Sequence, residues 1–409
     1  MARIAAAIDV GTTKVCTLIA EVEEEKEETI IQVIGFGNSP SRGMKKGNVV
    51  NISQLAQSVM ESVEQAEKLA GLTISRAYVS VTGSHIFSTN SRGMIALHRR
   101  SGGITAEDLA RVIEAASAIP IPYSQEILHV IPRYFIVDGQ PGIQDPIGME
   151  GSRLEAEVLV VTASSTALNN LRKCLREVGI EPERFILASL ASGEAVLTQS
   201  EKEMGVILAD MGGGTTDIAI YMDGSVLYTS SLEIGGNMIT SDIAFGLRMP
   251  FSSAEEIKKK YGYALAEEVS EEEGIEAMVF GSDRKELVSR RFMAEIIQAR
   301  VEEMFDFLYR EAQKARYAGL LPAGLVLCGG TAEMNGIEEL GRRHLGMPVR
   351  VGRPSGVQGL VDMLEKPAYA TAVGLLLWPI RQKILRARST SRSWKEKAIE
   401  WLKTLLPFE

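Results

Sequence analysis

The stretch at residues 206–221, VILADMGGGTTDIAIY, constrains the fold of this chain more than any other. Its apolar ends predict a buried strand that finishes at Asp210 and a strand that returns from the turn. Three consecutive glycines let backbone approach a ligand closely, and free N–H groups in such a turn form an anion-binding nest. The threonines and Asp210 add donors and a carboxylate that can hold Mg²⁺ through water. A glycine-rich hairpin without a function is the alternative that this stretch alone leaves open.

A second copy of the pattern opens the chain. An apolar run at residues 4–8 leads to Asp9, Gly-Thr-Thr-Lys follows at positions 11–14, and another apolar run begins at Val15. Aligned by sequence, this turn is two glycines shorter than the one after Asp210. Two such hairpins, about 200 residues apart, predict two similar lobes that face one nucleotide.

Length, charge and cysteine usage exclude several classes of protein. A chain of 409 residues predicts two or more domains, and a net charge of −9 argues against a general nucleic-acid binder. The three cysteines are far apart and odd in number, which suits a reducing compartment and predicts neither a disulfide framework nor a zinc site. The N-terminus enters a strand directly, so we expect no signal peptide, and no apolar run reaches the length of a membrane span.

The segment from about residue 84 to residue 162 differs in character from its surroundings. Short strands and turns flank one helix, at residues 106–118, which Thr105 caps, so we expect a small α/β insertion outside the main sheet. Beyond it, residues 189–199 predict a helix rich in small residues that packs closely on another helix. Glu194 in that helix points either into a cleft or to solvent.

The second half of the chain adds candidate nucleoside contacts. Gly236 and Asn237 open a helix whose N-terminus is a further phosphate or sugar site. Glu255 and Lys258 share one helical face, where they either bracket an adenosine or form an exposed ion pair. Residues 267–276 predict a surface loop, and residues 290–312 predict an amphipathic helix with Phe292 on its apolar side.

Taken in order, these elements resemble the superfamily of actin, sugar kinases and DnaK-type ATPases. Within it, the insertion at residues 84–162, the helix at 190–197, the helix at 254–262 and the C-terminal tail resemble FtsA, the bacterial actin homologue of cell division. The resemblance implies an α/β, two-lobed actin-like ATPase fold of duplicated ribonuclease H-like domains with an FtsA-type insertion. The implied parts are the first lobe (1–83 and 163–200), the insertion (84–162), the second lobe (201–240 and 313–380), its subdomain (241–312), a basic linker (381–393) and a membrane-targeting helix (394–409).

The resemblance also implies ligands. ATP with Mg²⁺ would occupy the cleft, with Asp9 and Asp210 each facing the metal through water, and Glu194 is the candidate for positioning a catalytic water. The FtsZ C-terminal tail would bind near Arg290, Arg291 and Arg300, since arginines suit an acidic peptide. The implied ATP-binding residues are Asp9, Gly11, Thr12, Thr13, Lys14, Gly212, Gly213, Gly214, Thr215, Thr216, Gly236, Asn237, Glu255, Lys258, Gly329 and Gly330.

The tail itself predicts a contact with a membrane surface. Residues 381–397 hold seven lysines and arginines and one acid, and a helix from residue 394 would place two tryptophans on an apolar face. Such a helix beside a basic linker is typical of interfacial binding to anionic lipid, whereas docking on the protein's own core is the alternative. The residues on the apolar face are Trp394, Ala398, Trp401, Leu402, Leu405 and Leu406.

Three functions compete at this point. The first is an ATP-binding cell-division protein that polymerises, meets other division proteins and tethers FtsZ filaments to the inner face of the cytoplasmic membrane at the septum, with at most weak ATPase activity. The second is a PilM-like adaptor of a type IV pilus. The third is a sugar kinase or an active ATPase, for which a C-terminal membrane helix serves no purpose.

Overall fold

The computed structural model describes residues 3–25, 28–97, 103–315 and 321–389. Contacts between Cα atoms divide the chain into two compact units. Within the described ranges, the first unit comprises residues 3–89, 121–129 and 161–377, and the second comprises residues 90–120, 130–160 and 378–389.

The secondary structure alternates between strands and helices along most of the chain. Within the described ranges the strands are β1 (Arg3–Val10), β2 (Lys14–Glu25), β3 (Glu28–Pro40), β4 (Met44–Lys45), β5 (Asn48–Val49), β6 (Arg76–Val81), β7 (Ile86–Ala96), β8 (Gln125–Val137), β9 (Gln140–Ile143), β10 (Arg153–Ser164), β11 (Glu181–Leu187), β12 (Val206–Met211), β13 (Thr216–Met222), β14 (Ser225–Leu232), β15 (Gly274–Met278), β16 (Lys285–Ser289), β17 (Leu325–Cys328), β18 (Val349–Val351) and β19 (Gln358–Gly359). The α-helices there are α1 (Ile52–Ala70), α2 (Ala106–Ser117), α3 (Ser165–Glu177), α4 (Ala188–Val196), α5 (Gln199–Met204), α6 (Gly236–Gly246), α7 (Phe251–Tyr261), α8 (Arg290–Lys314), α9 (Ile337–Leu345), α10 (Val361–Leu364) and α11 (Ala370–Ser389). None of these described helices is both long and apolar enough to cross a membrane.

The first unit contains a six-stranded sheet in the order β11-β6-β1-β2-β3-β19. Strands β1 and β2 form an antiparallel hairpin, and β6 pairs parallel with β1, so that the ends of β1 and β6 lie at one edge. Helix α1 packs on this sheet through one apolar face that buries Leu55, Val59 and Val63. Asn51 caps the helix, and Gly71 ends it in the left-handed conformation.

The same unit contains a five-stranded sheet in the order β14-β13-β12-β17-β18. Strands β12 and β13 are the antiparallel hairpin predicted at residues 206–221, and β17 runs parallel to β12. One buried core joins this sheet to α6, α7, α8 and α9, with Phe305 among its largest buried side chains. The two sheets therefore each supply one predicted hairpin.

The second unit has its own core. Helix α2 begins with a capping box in which Thr105 and Asp108 satisfy each other's backbone N–H groups. Val112 of the helix packs with Phe135 and Leu154 of the sheet that runs in the order β7-β10-β8-β9. An independent core confirms the prediction of a small α/β insertion with one helix.

Three predicted elements were wrong in detail. The helix expected at residues 189–199 ends at Val196, because Thr198 caps the separate helix α5 through a capping box with Glu201. The loop expected at residues 267–276 includes the start of β15, which pairs with β16. Phe292 lies outside the apolar side of α8 and is 46% exposed, because the helix turns Met293 and Ile297 to the core instead.

Candidate functional site

A cavity of about 640 Å³ in the first unit brings the two hairpins together. The β1–β2 connection is called hairpin 1 below, and the β12–β13 connection hairpin 2. Gly214 and Thr216 of hairpin 2 are the predicted ATP-binding residues that do not line the cavity. Those that do are Asp9, Gly11, Thr12, Thr13, Lys14, Gly212, Gly213, Thr215, Gly236, Asn237, Glu255, Lys258, Gly329 and Gly330, together with the predicted metal-facing Asp210.

The two hairpins have turns of equal length, which corrects the sequence alignment. Asp9 lies opposite Cys16 in hairpin 1, and Asp210 lies opposite Asp217 in hairpin 2, so both pairs are seven positions apart. The Gly11 N–H donates to the Lys14 carbonyl at 2.9 Å, and the Gly212 N–H donates to the Thr215 carbonyl at the same distance. Thr12 and Thr13 therefore occupy the positions that Gly213 and Gly214 occupy in the other turn.

This difference lets the two turns meet. A Cβ at Gly213 would overlap the Thr13 methyl group, and one at Gly214 would lie 2.7 Å from the Thr12 methyl carbon. No ordinary side chain fits at such distances, so the glycines of hairpin 2 make room for the threonines of hairpin 1. Among the described residues, the N–H groups of Gly213 and Gly214 donate to no backbone carbonyl, as an anion nest requires.

The backbone N–H groups in the first turn of α6 have a different role from the predicted binding of a phosphate. The N–H groups of Gly236 and Asn237 donate to the carbonyls of Gly212 and Gly213, at 2.9 and 2.8 Å. These two amides are thus not available to a phosphate, and they fix hairpin 2 on α6. Gly236 and Asn237 still line the cavity, and their contact with a sugar stays a prediction.

Two aspartates, Asp9 and Asp210, line the cavity. The Asp9 carboxylate accepts hydrogen bonds from Ser80 Oγ at 2.9 Å and Lys14 Nζ at 3.3 Å. The Asp210 carboxylate accepts one from Thr371 Oγ1 at 2.6 Å, and burial raises the pKa of Asp210 to about 6. Between residues 3 and 389, outside the gaps named above, no cluster of three or more His, Cys, Asp or Glu could hold a metal ion. This donor set fits a Mg²⁺ held by phosphate oxygens and water, with Asp9 and Asp210 accepting from its water ligands.

A third aspartate that lines the cavity, Asp217, has no role in the sequence-based predictions. It is 4% exposed, and its Oδ2 accepts a hydrogen bond from Thr82 Oγ1 at 2.5 Å. Burial, together with the nearby Asp210, raises the pKa of Asp217 to about 7. The register of hairpin 2, which places Asp217 opposite Asp210, is the sequence signal that could have found it.

Elsewhere in the cavity lining, α7 presents a partly buried ion pair. Lys258 Nζ lies 2.6 Å from Glu255 and donates to the Gly236 carbonyl and to Thr240 Oγ1, at 3.0 and 2.7 Å. Burial lowers the pKa of Lys258, and although burial opposes ionisation of Glu255, the Lys258 ammonium lowers the pKa of that carboxyl. The pair is neither an exposed surface bridge nor free of partners, and it ties α7 to the start of α6.

Glu194, the predicted water-positioning residue, does not line this cavity. Its carboxylate lies 2.8 Å from Lys202 Nζ, and both side chains are nearly buried. The segment before α11 and the start of that helix are cavity-lining parts that the sequence analysis missed. Lys366, Ala368, Tyr369 and Thr371 line the cavity. No local pattern announces them, because their placement depends on how α11 packs.

The arginines predicted to bind FtsZ lie on α8, away from the cavity lining. Arg290 pairs with Glu273, and Arg291 lies 3.7 Å from both Glu271 and Glu295. Arg300 makes a two-pronged pair with Asp242 of α6, at 2.5 and 3.0 Å. The predicted membrane residues Trp394, Ala398, Trp401, Leu402, Leu405 and Leu406 lie outside the described residues.

Comparison with known proteins identifies the family. A family model described as "Cell division protein FtsA" matches residues 207–374, and another, "SHS2 domain inserted in FTSA", matches residues 83–162. The cell division protein FtsA of Pseudomonas aeruginosa is 42% identical over 376 residues, which are 92% of this chain and 89% of that protein. This chain belongs to the FtsA family. The FtsA of Bacillus subtilis is 37% identical and covers 96% of the chain, and the FtsA of Escherichia coli K12 is 34% identical and covers 97%.

Solved structures confirm the actin-like fold of this FtsA-family chain. The PilM-PilN type IV pilus biogenesis complex has a chain with a TM-score of 0.65 and 17% identity, covering 91% of this chain and 98% of that one. MreB5 of Spiroplasma citri bound to ADP has a TM-score of 0.55 and 13% identity, covering 94% and 98%. At these identities the likeness is one of fold alone. The pilus alternative therefore rests on fold, whereas the FtsA assignment rests on sequence over nearly the whole chain.

Proposed function

We propose that this protein binds ATP with Mg²⁺ and, in cell division, tethers FtsZ filaments to the inner face of the cytoplasmic membrane. The observation that carries the proposal is the single cavity that both glycine-threonine hairpins line. Free N–H groups in hairpin 2 and the Lys14 ammonium suit the phosphates, and Asp9 and Asp210 suit the water shell of the metal. When bound, the nucleotide supplies a polyanionic phosphate chain that both hairpins can contact.

Titration of the nucleotide tests this part of the proposal. We expect ATP to bind with 1:1 stoichiometry and EDTA to weaken binding, because phosphate charge near two aspartates needs the metal as counter-charge. The matched control is Asp223→Asn, since Asp223 lies in the β13–β14 turn away from the cavity lining. Binding that ignores both EDTA and Asp210→Ala would contradict the proposed metal role.

We assign binding of the FtsZ tail to the surface where α6 and α8 meet. Phe245 is 88% exposed and Phe292 is 46% exposed. Ile296, one turn after Phe292, packs so close to Gly246 that a Cβ there would lie 2.6 Å from the Ile296 Cδ1. Arg300 lies one further turn along the same face. An apolar strip that ends in an arginine suits a short peptide with apolar anchors and acidic residues.

Peptide binding tests this surface. Phe245→Ser and Phe292→Ser should each weaken binding of an FtsZ tail peptide by about tenfold, since each removes an exposed apolar anchor. Leu69→Ser is the matched control, because Leu69 is 52% exposed on α1, outside this strip. Equal loss in all three variants would indicate a general defect, and no loss in the first two would move the peptide elsewhere.

Membrane attachment is assigned to the tail from its sequence. Flotation with vesicles that contain anionic lipid should capture the full chain, and removal of residues 394–409 should abolish capture. Trp401→Glu should do the same, whereas Glu400→Gln on the polar face should not. Equal flotation of the truncated chain would refute the anchor and leave the nucleotide site untouched. Self-association into filaments at the division site completes the proposal, and vesicle-bound protein with ATP is the sample in which to look for it.

A further inference from the structure

The ammonium group of Lys14 has two partners in the cavity. Lys14 Nζ donates a hydrogen bond to Asp9 Oδ2 at 3.3 Å, and it lies 4.8 Å from the centroid of the Tyr369 ring. An ammonium over the face of an aromatic ring, within about 6 Å of the centroid, is attracted by the ring. Although burial opposes the charged form, the Asp9 carboxylate raises the pKa of Lys14, so this side chain is a cation in the cavity.

The Tyr369 ring is fixed by packing that does not involve Lys14. Its centroid lies 5.4 Å from that of Phe36 in β3, with 87° between the ring planes, which is the edge-to-face arrangement that aromatic pairs prefer. Tyr369 ends a short 3₁₀ helix that begins at Pro367, and the Pro367 carbonyl accepts a hydrogen bond from the Gly329 N–H at 3.0 Å. The ring therefore presents a fixed face to the ammonium.

The same short segment reaches both hairpins. Tyr369 contacts Lys14 of hairpin 1, and Thr371, two residues later, donates to Asp210 of hairpin 2 at 2.6 Å. Thr371 bonds to a carboxylate that is proposed to face the metal, whereas Tyr369 faces a cation that is proposed to bind phosphate. The segment can thus affect phosphate binding and metal binding through different residues.

A ring face suits an ammonium that must also bind an anion. Lysine has a flexible stem and three N–H donors, of which Asp9 accepts one. The ring fixes the ammonium without a full negative charge, so it competes with a phosphate less than a second carboxylate would. An ammonium that is held before the ligand arrives also loses less conformational entropy on binding.

We propose that Tyr369 is a positioning residue, and that the face of its ring holds the Lys14 ammonium where this group binds the phosphates of the nucleotide. The inference rests on the proposed nucleotide site and on the proposed phosphate contact of Lys14. Because Tyr369 acts through Lys14, its contribution exists only while Lys14 is present and only for ligands that carry phosphate.

A double-mutant cycle tests this coupling. Lys14→Ala should weaken binding of a non-hydrolysable ATP analogue at least about 30-fold, as expected when one partner of a close charge pair is removed. Tyr369→Leu should weaken it about fivefold, which is typical of a partly desolvated cation–π contact, and Tyr369→Phe should weaken it less than about twofold because the ring remains. In the Lys14→Ala background, Tyr369→Leu should change the affinity less than about twofold. The matched control is Tyr309→Leu, since Tyr309 is 37% exposed on α8, outside the cavity lining.

A series of ligands separates positioning from direct contact and from a packing defect. Adenosine carries no phosphate, so Tyr369→Leu should change its affinity less than about twofold, whereas the losses for the ATP analogue, ADP and AMP should follow the same order as in Lys14→Ala. If the substitution displaced the start of α11, Thr371 would leave Asp210 and the ratio of ATP affinities with Mg²⁺ and in EDTA would change. We expect that ratio to stay within about twofold of the wild-type value.

The outcomes are distinguishable. A wild-type chain that binds no ATP analogue overturns the proposed function itself. Unchanged affinity in Lys14→Ala overturns the phosphate contact of Lys14 and, with it, the role of Tyr369. Multiplicative losses in the double variant, or an equal loss of adenosine affinity, would make Tyr369 a direct contact of the nucleotide. A loss in Tyr369→Phe as large as that in Tyr369→Leu would assign the effect to the hydroxyl group, and a changed Mg²⁺ ratio would make the role of Tyr369 structural.

Discussion

Hairpins 1 and 2 share a backbone and differ in what their side chains do. Each has a four-residue turn between paired strands, closed by the same N–H to carbonyl bond. Hairpin 1 places threonines and Lys14 in its turn and a buried thiol, Cys16, opposite its aspartate. Hairpin 2 places glycines in its turn and Asp217 opposite Asp210. The repeat is therefore one of geometry, and the chemistry is divided between its copies.

The two hairpins differ in this way because both must contact the same ligand. Two turns that both carried threonine at the central positions would collide, since a single added Cβ at Gly213 already overlaps Thr13. Two turns of glycine would approach but would lack the side-chain hydroxyls and the ammonium of hairpin 1. One turn supplies side chains and the other supplies backbone, so both can contact the same phosphates.

Gly213→Val should have the largest effect on this arrangement. The side chain would push against Thr13 and fill the nest, so we expect nucleotide affinity to fall more than about 100-fold. Fluorescence titration with a labelled ATP analogue measures the loss, and circular dichroism checks that the chain folds. A partial recovery in Gly213→Ala with Thr13→Ala, relative to Gly213→Ala alone, would show that the collision is the cause. Lack of recovery would assign the loss to the turn itself.

Asp210→Ala should follow in size, because it removes a metal-facing carboxylate while leaving both turns intact. We expect Mg²⁺-dependent ATP affinity to fall about tenfold to 100-fold, with little change in the residual affinity measured in EDTA. Calorimetric titration at several Mg²⁺ concentrations tests this. An equal loss with and without the metal would mean that Asp210 acts through Thr371 and the packing of α11.

Much of this site could be predicted from the chain, and the reasons for the failures are physical. Glycine turns after buried strands and their aspartates are local patterns, so both hairpins were predicted. The equal length of the two turns was not predicted, because a sequence alignment maximises identical residues whereas the structure conserves turn length. Thr371 and Thr82 could not be found at all, since each reaches the cavity through packing between elements 161 and 135 positions apart.

The backbone amides at the start of α6 show that a sequence pattern can also predict a site whose donors are already used. A glycine-rich helix start is a good general sign of an anion site, yet Gly236 and Asn237 donate to carbonyls of hairpin 2. A sequence pattern can indicate N–H groups that have no partner within their own helix. It cannot show that the carbonyls of another backbone segment accept their hydrogen bonds. Lys258 is a further instance, since its hydrogen-bonding and ionic partners already lie on α6 and α7.

The asymmetry between Cys16 and Asp217 predicts a pH dependence. The folded-state pKa of Asp217, about 7, lies above its ordinary value of 3.8, so the folded nucleotide-free protein holds a proton that the unfolded chain releases. Its contribution to stability is therefore lost as pH rises from about 4 to about 7. Asp217→Asn cannot ionise, and it should stabilise the nucleotide-free chain by about 4 kcal/mol more at pH 8 than at pH 4. Urea unfolding in EDTA at both pH values measures this, with Asp223→Asn as control, and a pH-independent difference would contradict it.

The smallest effects should come where the hairpins are equivalent. A Cβ at Gly11 would lie 3.0 Å from the Lys14 carbonyl oxygen, and one at Gly212 would lie 3.1 Å from the Thr215 carbonyl oxygen. Both contacts require only a few tenths of an ångström of relaxation in a turn that faces the cavity. Gly11→Ala and Gly212→Ala should therefore each weaken ATP binding by no more than about threefold, and by similar amounts, since the added methyl group strains both turns alike. Titration of the two variants side by side tests this. A large loss in only one of them would show that ligand contacts, and not shared turn geometry, determine which small residues the hairpins need.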